Sequence, residues 1–165
     1  MRAVGHPQPF QWFYVGRQNG SMHDLMRFFH VAAAILWMGG MAFMVLALRP
    51  ALGLAEPPVR VPVVAEAMRR FFAVVAISIA VLLVTGGGMM AGQRAPTGWF
   101  VMAGLGVLMM LVFGHIFFSP WKRLKAAAAR QDWPAAGAAA NQVALLAKVN
   151  LGLGWLAIAA VMLWR

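Results

Sequence analysis

Four stretches of this chain are apolar over a length that crosses a lipid bilayer, and no soluble fold accommodates that. At about 1.5 Å per helical residue, roughly 30 Å of hydrocarbon needs about twenty apolar residues. The stretches run from Leu25 to Leu48, Phe71 to Ala91, Gly98 to Phe118 and Val143 to Trp164. Arg49-Pro50 ends the first, Arg69-Arg70 precedes the second, and Ser119-Pro120 stops the third. The expected class is all-α, an integral membrane four-helix bundle. The first stretch is too long, begins too late and lacks the small-residue cleavage site of a signal peptide.

Charge sharpens the reading. The chain is 62% hydrophobic and 11% charged, and its 14 Lys and Arg against 4 acids give a formal charge of +10. These cations sit at the ends of the apolar runs, where they anchor and orient spans, and form no solvated basic face; nucleic acid is not an expected partner. The chain has no cysteine, so thiolate sites and disulfides are excluded. Any metal site must use His, Met, carboxylate or backbone oxygen.

Residues 1–21 read as an interfacial segment, with Trp12, Phe13 and Tyr14 at the outer boundary, and 22–165 as one transmembrane domain. Three loops are expected: Ala51 to Arg70 with three prolines, a short turn from Gly92 to Thr97, and Ser119 to Gln142, a surface helix interrupted near Pro134. The loops after spans one and three, with the start of span four, carry Arg49, Arg60, Arg69, Arg70, Lys122, Arg123, Lys125, Arg130 and Lys148. The opposite side carries Arg2, Arg17, Arg27, Arg94 and Arg165. That bias puts the longer loops in the cytoplasm and both termini in the periplasm. Glycines within the spans, including Thr85-Gly86-Gly87-Gly88, Gly39-Gly40 and Gly152 with Gly154, read as close-packing positions.

An imidazole near hydrocarbon needs a partner. His30 falls about 5 Å below the outer surface and His115 about 25 Å down, counted along the helices. Two nitrogens on one metal lie within about 4 Å of each other, so this pair cannot clamp one haem. Two neighbourhoods remain. At the outer end, His23, Met26 and His30 follow i, i+3, i+7 and share a helical face. Met89, Met90, Met102 and Met162 are expected at similar depth. Imidazole with thioether suits copper, thioether favouring Cu(I), although methionine is also an ordinary core filler. At the inner end, His115 with Met44 opposite offers axial ligands for a haem whose propionates would meet Arg49, Arg69 and Arg70. The alternative there is a hydrogen bond from His115 to Asn150 or a backbone carbonyl.

The pattern His30-x6-Trp37-x-Gly39-Gly40-x-x-Phe43 followed by Arg49-Pro50 resembles the first helix of the CopD-like (copper resistance protein D domain) family. Arg70-Phe71 and Thr85-Gly86 bounding span two, Pro120-Trp121 before basic residues, and Asn150-Leu151-x-Leu153-Gly154 extend the resemblance over Met22 to Arg165. It implies an inner-membrane four-helix protein of copper uptake or tolerance, working with periplasmic copper-binding partners. The chain is also similar to the HemJ-type protoporphyrinogen oxidases, four-helix haem b proteins whose histidines match His30 and His115. Their third helix carries a lysine a few residues past a tryptophan; after Trp99 the equivalent here is apolar, about Ala103.

Three functions follow as expectations. The first is copper handling at the outer face, with His30, His23 and Met26 as ligands. The second is a haem b redox protein using His30 or His115, the latter with Met44. The third is a structural subunit of a larger membrane complex. A homo-oligomer fits the first as well. No catalytic residue is expected: the chain has four acids, none of them in a span, and no phosphate-cradling loop.

Overall fold

The computed structural model describes the backbone of residues 10–91 and 96–164, and side chains from residue 20 onward. Among these residues all regular structure is helical: α1 (Phe10–Phe43), a π-helical turn (Met44–Leu48), α2 (Arg49–Leu52), α3 (Pro57–Met90), α4 (Thr97–Phe118), α5 (Pro120–Ala129) and α6 (Trp133–Leu163). Four helical stretches, Gly20–Leu52, Pro57–Met90, Thr97–Ala129 and Trp133–Leu163, are long and apolar enough to cross a membrane. The expected bundle is there. Trp12, Phe13, Tyr14, Arg94 and the turn at 92–95 lie outside the described side chains, and α1 passes helically through the boundary expected at residue 21.

Each helix keeps one row of residues inward, mixing small side chains with a few methionines and aromatics, and exposes many large apolar side chains outward. On α1 and into the π turn the buried positions Ala33, Trp37, Met41 and Val45 recur at helical spacing, whereas Phe28, Ile35, Leu36 and Leu46 are exposed. On α3 the inner row is Met68, Phe72, Val75, Ser78, Thr85 and Met89. In water this distribution would be costly; in lipid, outward apolar side chains meet acyl tails and small inward residues allow close helix approach. Gly40 receives the ring of Phe71, Gly154 the thioether of Met38, and Gly98 the carbonyls of Ala160 and Trp164. Gly98 N–H donates to Trp164 O at 3.2 Å, tying the start of α4 to the end of α6.

The helices run further than hydropathy predicts. Ala51 to Arg70 is not a loop: after a short turn, α3 begins at Pro57 and carries Pro62 in its second turn. Pro57 and Pro58 occupy the first turn, where a missing N–H costs nothing and a fixed φ favours the helix. Span one does not stop at Arg49-Pro50 either. Pro50 has no N–H to donate, and the chain passes it by widening into the π turn, in which Arg49 N–H bonds to Met44 O.

Beyond α4 the chain continues as α5, which packs along the first part of α6. Trp121, Leu124 and Ala127 are buried beneath it, and Lys122, Arg123 and Lys125 face out. The Lys122 ammonium sits over Phe118 and that of Lys125 over Trp121, 5.3 and 5.4 Å from the ring centroids. This amphipathic pattern is that of an interfacial helix. Pro134 does not interrupt it. The Asp132 carboxylate caps the next helix by accepting from Ala135 N–H at 3.1 Å, with Pro134 in that first turn. Trp121 also meets Phe72 edge to face at 5.2 Å, inside a cluster with Val61, Ile116 and Val143.

Candidate metal site at the histidine end

His23, Met26 and His30 are each half-buried on one face of α1, as their spacing requires. That face packs on the end of α3, where Thr85-Gly86-Gly87-Gly88 supplies both a polar partner and room. The ring of His30 lies over Gly86: a Cβ there would sit 3.2 Å from its Cε1 and 3.6 Å from Nδ1. The sulfur of Met26 lies over Gly88, 3.1 Å from where a Cβ would be. Met89, one turn from Thr85, is buried, whereas Met162 is exposed.

The His30 hydrogen bond fixes its chemistry. Its Nδ1 lies 2.9 Å from Thr85 Oγ1, and the Thr85 hydroxyl donates to Val81 O at 2.6 Å. A hydroxyl has one proton. Because Val81 takes it, Thr85 Oγ1 accepts from His30 Nδ1–H. The neutral ring is therefore protonated on Nδ1, and Nε2 carries the free lone pair. Metal-ligating histidines are commonly held this way, the far nitrogen donating to a fixed acceptor that sets tautomer and orientation. Thr85 was not expected as part of the site. Its signal in the sequence is a hydroxyl next to three glycines at the depth of His30.

His23 has a different deficit. Its Nε2 is buried and has no hydrogen-bond partner among the described residues. His23 and His30 are seven residues apart, about 10.5 Å along the axis, so their nitrogens do not meet on one ion without a large tilt. Met26 lies within a turn of both, and the three form a ladder. Among the described residues no three His, Cys, Asp or Glu side chains converge, so a third ligand would be thioether or oxygen.

The inner pair is not brought together. His115 is exposed on the outward side of α4. Met44 faces the other way and lines a cavity of about 440 Å³ with Met68, Arg49 and Arg60, a cavity that His115 does not line. Asn150, the other expected partner of His115, is 1% exposed and bonds to Met41 instead.

A family model, copper resistance protein D, matches residues 65–164, more than half of the chain. The chain belongs to the copper resistance protein D family. The match takes in Thr85, the glycines after it and all of α4 to α6, whereas α1 with His23, Met26 and His30 precedes it. No curated protein matches the chain, and no solved structure does.

Proposed function

We propose that this is a copper-handling protein of the inner membrane that takes up the ion at the periplasmic end of its bundle. His30 Nε2 is the principal ligand, and Met26 and His23 are successive ligands on the same face. The observation that carries this reading is the spent Thr85 hydroxyl. It leaves His30 with a lone pair on Nε2 and holds the ring against α3, the arrangement that the far-nitrogen bond gives a metal-ligating histidine. Family membership supports copper as the ion, and the soft thioether of Met26 favours Cu(I). The ladder of His23, Met26 and His30 suits an ion handed on in steps better than one held in a closed cage. A periplasmic copper-binding protein is the expected donor or acceptor, and both termini are placed outside by the charge bias.

The same lone pair would serve a haem b iron, so the first test separates the two. An absorption spectrum of the freshly purified, detergent-solubilised protein, as isolated and after dithionite, is expected to show no Soret band. Cu(I) titration against a chromophoric chelator is then expected to show an equivalent with nitrogen ligation that His30→Ala abolishes. Near-stoichiometric haem, or Cu(I) binding unchanged in His30→Ala, would overturn the reading.

A further inference from the structure

We propose a second copper site in the middle of the membrane, built from the thioethers of Met38, Met41 and Met109 with the carboxamide of Asn150. This rests on the copper reading above and adds where the ion goes next. The three methionines come from two helices, α1 and α4, and pack toward a third, α6. Gly154 on α6 has no side chain, and the space is taken by the thioether of Met38 and the methyl of Met109, whose Cε lies 3.2 Å from where a Cβ would be. One turn earlier on α6, Asn150 Nδ2–H points at Met41 Sδ, 3.7 Å away. Met38 and Met41 are three residues apart on α1, hence neighbours on its surface. Trp37, Met41, Val75 and Met109 form the buried cluster at this level.

Asn150 is what packing alone does not explain. It is 1% exposed, and among the described residues its Oδ1 has no partner and its N–H has only a thioether to donate to. A thioether is a weak acceptor, and a buried amide oxygen left unpaired costs about 1–3 kcal/mol. A polar side chain inside a membrane bundle is expensive unless it is paired across helices, and here the oxygen is not. A half-turn of the amide exchanges nitrogen for oxygen and presents Oδ1 to a cation lying against the Met41 sulfur.

The ligand set names the ion. Thioethers select Cu(I), and zinc sites require imidazole, thiolate or carboxylate, none of which is placed here. Nothing anionic lies in the cluster to offset a divalent charge, so a monovalent, weakly held ion fits. Met38 and Met41 are eight and eleven residues past His30, about 12 and 16 Å further along the axis. That spacing makes the cluster a second station below the histidine ladder.

The test is Cu(I) binding to the full-length detergent-solubilised chain under anaerobic reductant, with Ag(I) as a redox-inert check and X-ray absorption to read nitrogen against sulfur neighbours. Leucine replaces methionine with little change of volume, so Met41→Leu/Met109→Leu keeps the core filled. The wild type is expected to take two equivalents. His30→Ala is expected to keep one, with a sulfur-dominated shell. The double leucine variant is expected to keep only the nitrogen-containing one, the other weakening about tenfold or more, as loss of ligation implies. Asn150→Leu separates the roles if the double variant fails to fold. A packing Asn150 would leave both equivalents in place, and thermal stability would hold or rise. A ligating Asn150 would cost the sulfur-rich equivalent. One equivalent that vanishes in His30→Ala and persists in the leucine variants would overturn the second site and leave the first standing. No Cu(I) binding at all would overturn both.

Discussion

Replacing Thr85 by valine removes one hydroxyl and keeps the side chain's branched shape, which makes it the sharpest probe of the His30 site. Val81 O keeps its helical backbone partner, so the loss falls on His30. Its Nδ1–H, 2.9 Å from the hydroxyl in the wild type, is left without an acceptor beside a residue that is 7% exposed. An orphaned donor in such surroundings costs about 1–3 kcal/mol. The ring can escape by moving its proton to Nε2, which removes the lone pair, or by turning out of the site. Either route weakens a bound metal, and loss of an outer partner of a ligating histidine typically costs about 10–100-fold in affinity, or about 1.4–2.7 kcal/mol. Cu(I) competition titration should therefore show Thr85→Val down by that factor and Thr85→Ser close to wild type. Nitrogen-15 spectra of the ring provide an independent readout, Nδ1-protonated in the wild type and mixed or reversed in Thr85→Val. Equal affinity in Thr85→Val and wild type would refute the argument, as would an equal loss in Thr85→Ser.

Three other outcomes follow from the packing. Gly86→Ala sets a methyl 3.2 Å from an anchored imidazole carbon, whereas Gly88→Ala meets the end of a flexible methionine; Cu(I) titration should show Gly86→Ala weakening binding clearly more than Gly88→Ala. In Gly98→Ala the new methyl runs into the backbone carbonyls of Ala160 and Trp164, and Gly104 has open space around it. Thermal unfolding in detergent should show Gly98→Ala destabilised by about 1–3 kcal/mol, as for overpacking, and Gly104→Ala unchanged or more stable by up to about 1 kcal/mol. His115→Ala removes an outward-facing ring and is expected to leave Cu(I) stoichiometry and affinity unchanged by the same titration.

The four spans and the face shared by His23, Met26 and His30 could be read from residues alone, because hydropathy and helical spacing are local properties. The prolines misled. Pro57, Pro58 and Pro62 look like loop punctuation, yet two of them sit in a first turn, where proline suits a helix. The outward direction of His115 was hidden for another reason. Nearly every residue of α4 is apolar, so no stripe distinguishes its bundle side from its lipid side, and depth along the helix could be counted when direction around it could not. Thr85 and Asn150 needed neighbours to acquire meaning. A threonine beside glycines becomes a ligand's anchor only when α3 is laid against α1. An asparagine becomes an orphan only when its surroundings prove to be methionine.

The π turn at Met44–Leu48 amounts to one extra residue threaded into an otherwise regular rod. Each residue of an α-helix advances the chain by about 100° of rotation, so this insertion sets the phase of all that follows it, including Arg49, whose guanidinium reaches Asn141 on α6. Deleting one residue between His30 and the turn would rotate the histidine face against the rest of the bundle. Deleting one within the turn would relax it to an ordinary α turn and re-aim only the short cap Arg49–Leu52. The first span thus has one place where its length can change without disturbing the metal-facing side, and evolution or an engineer adjusting the grip between α1 and α6 would find it there.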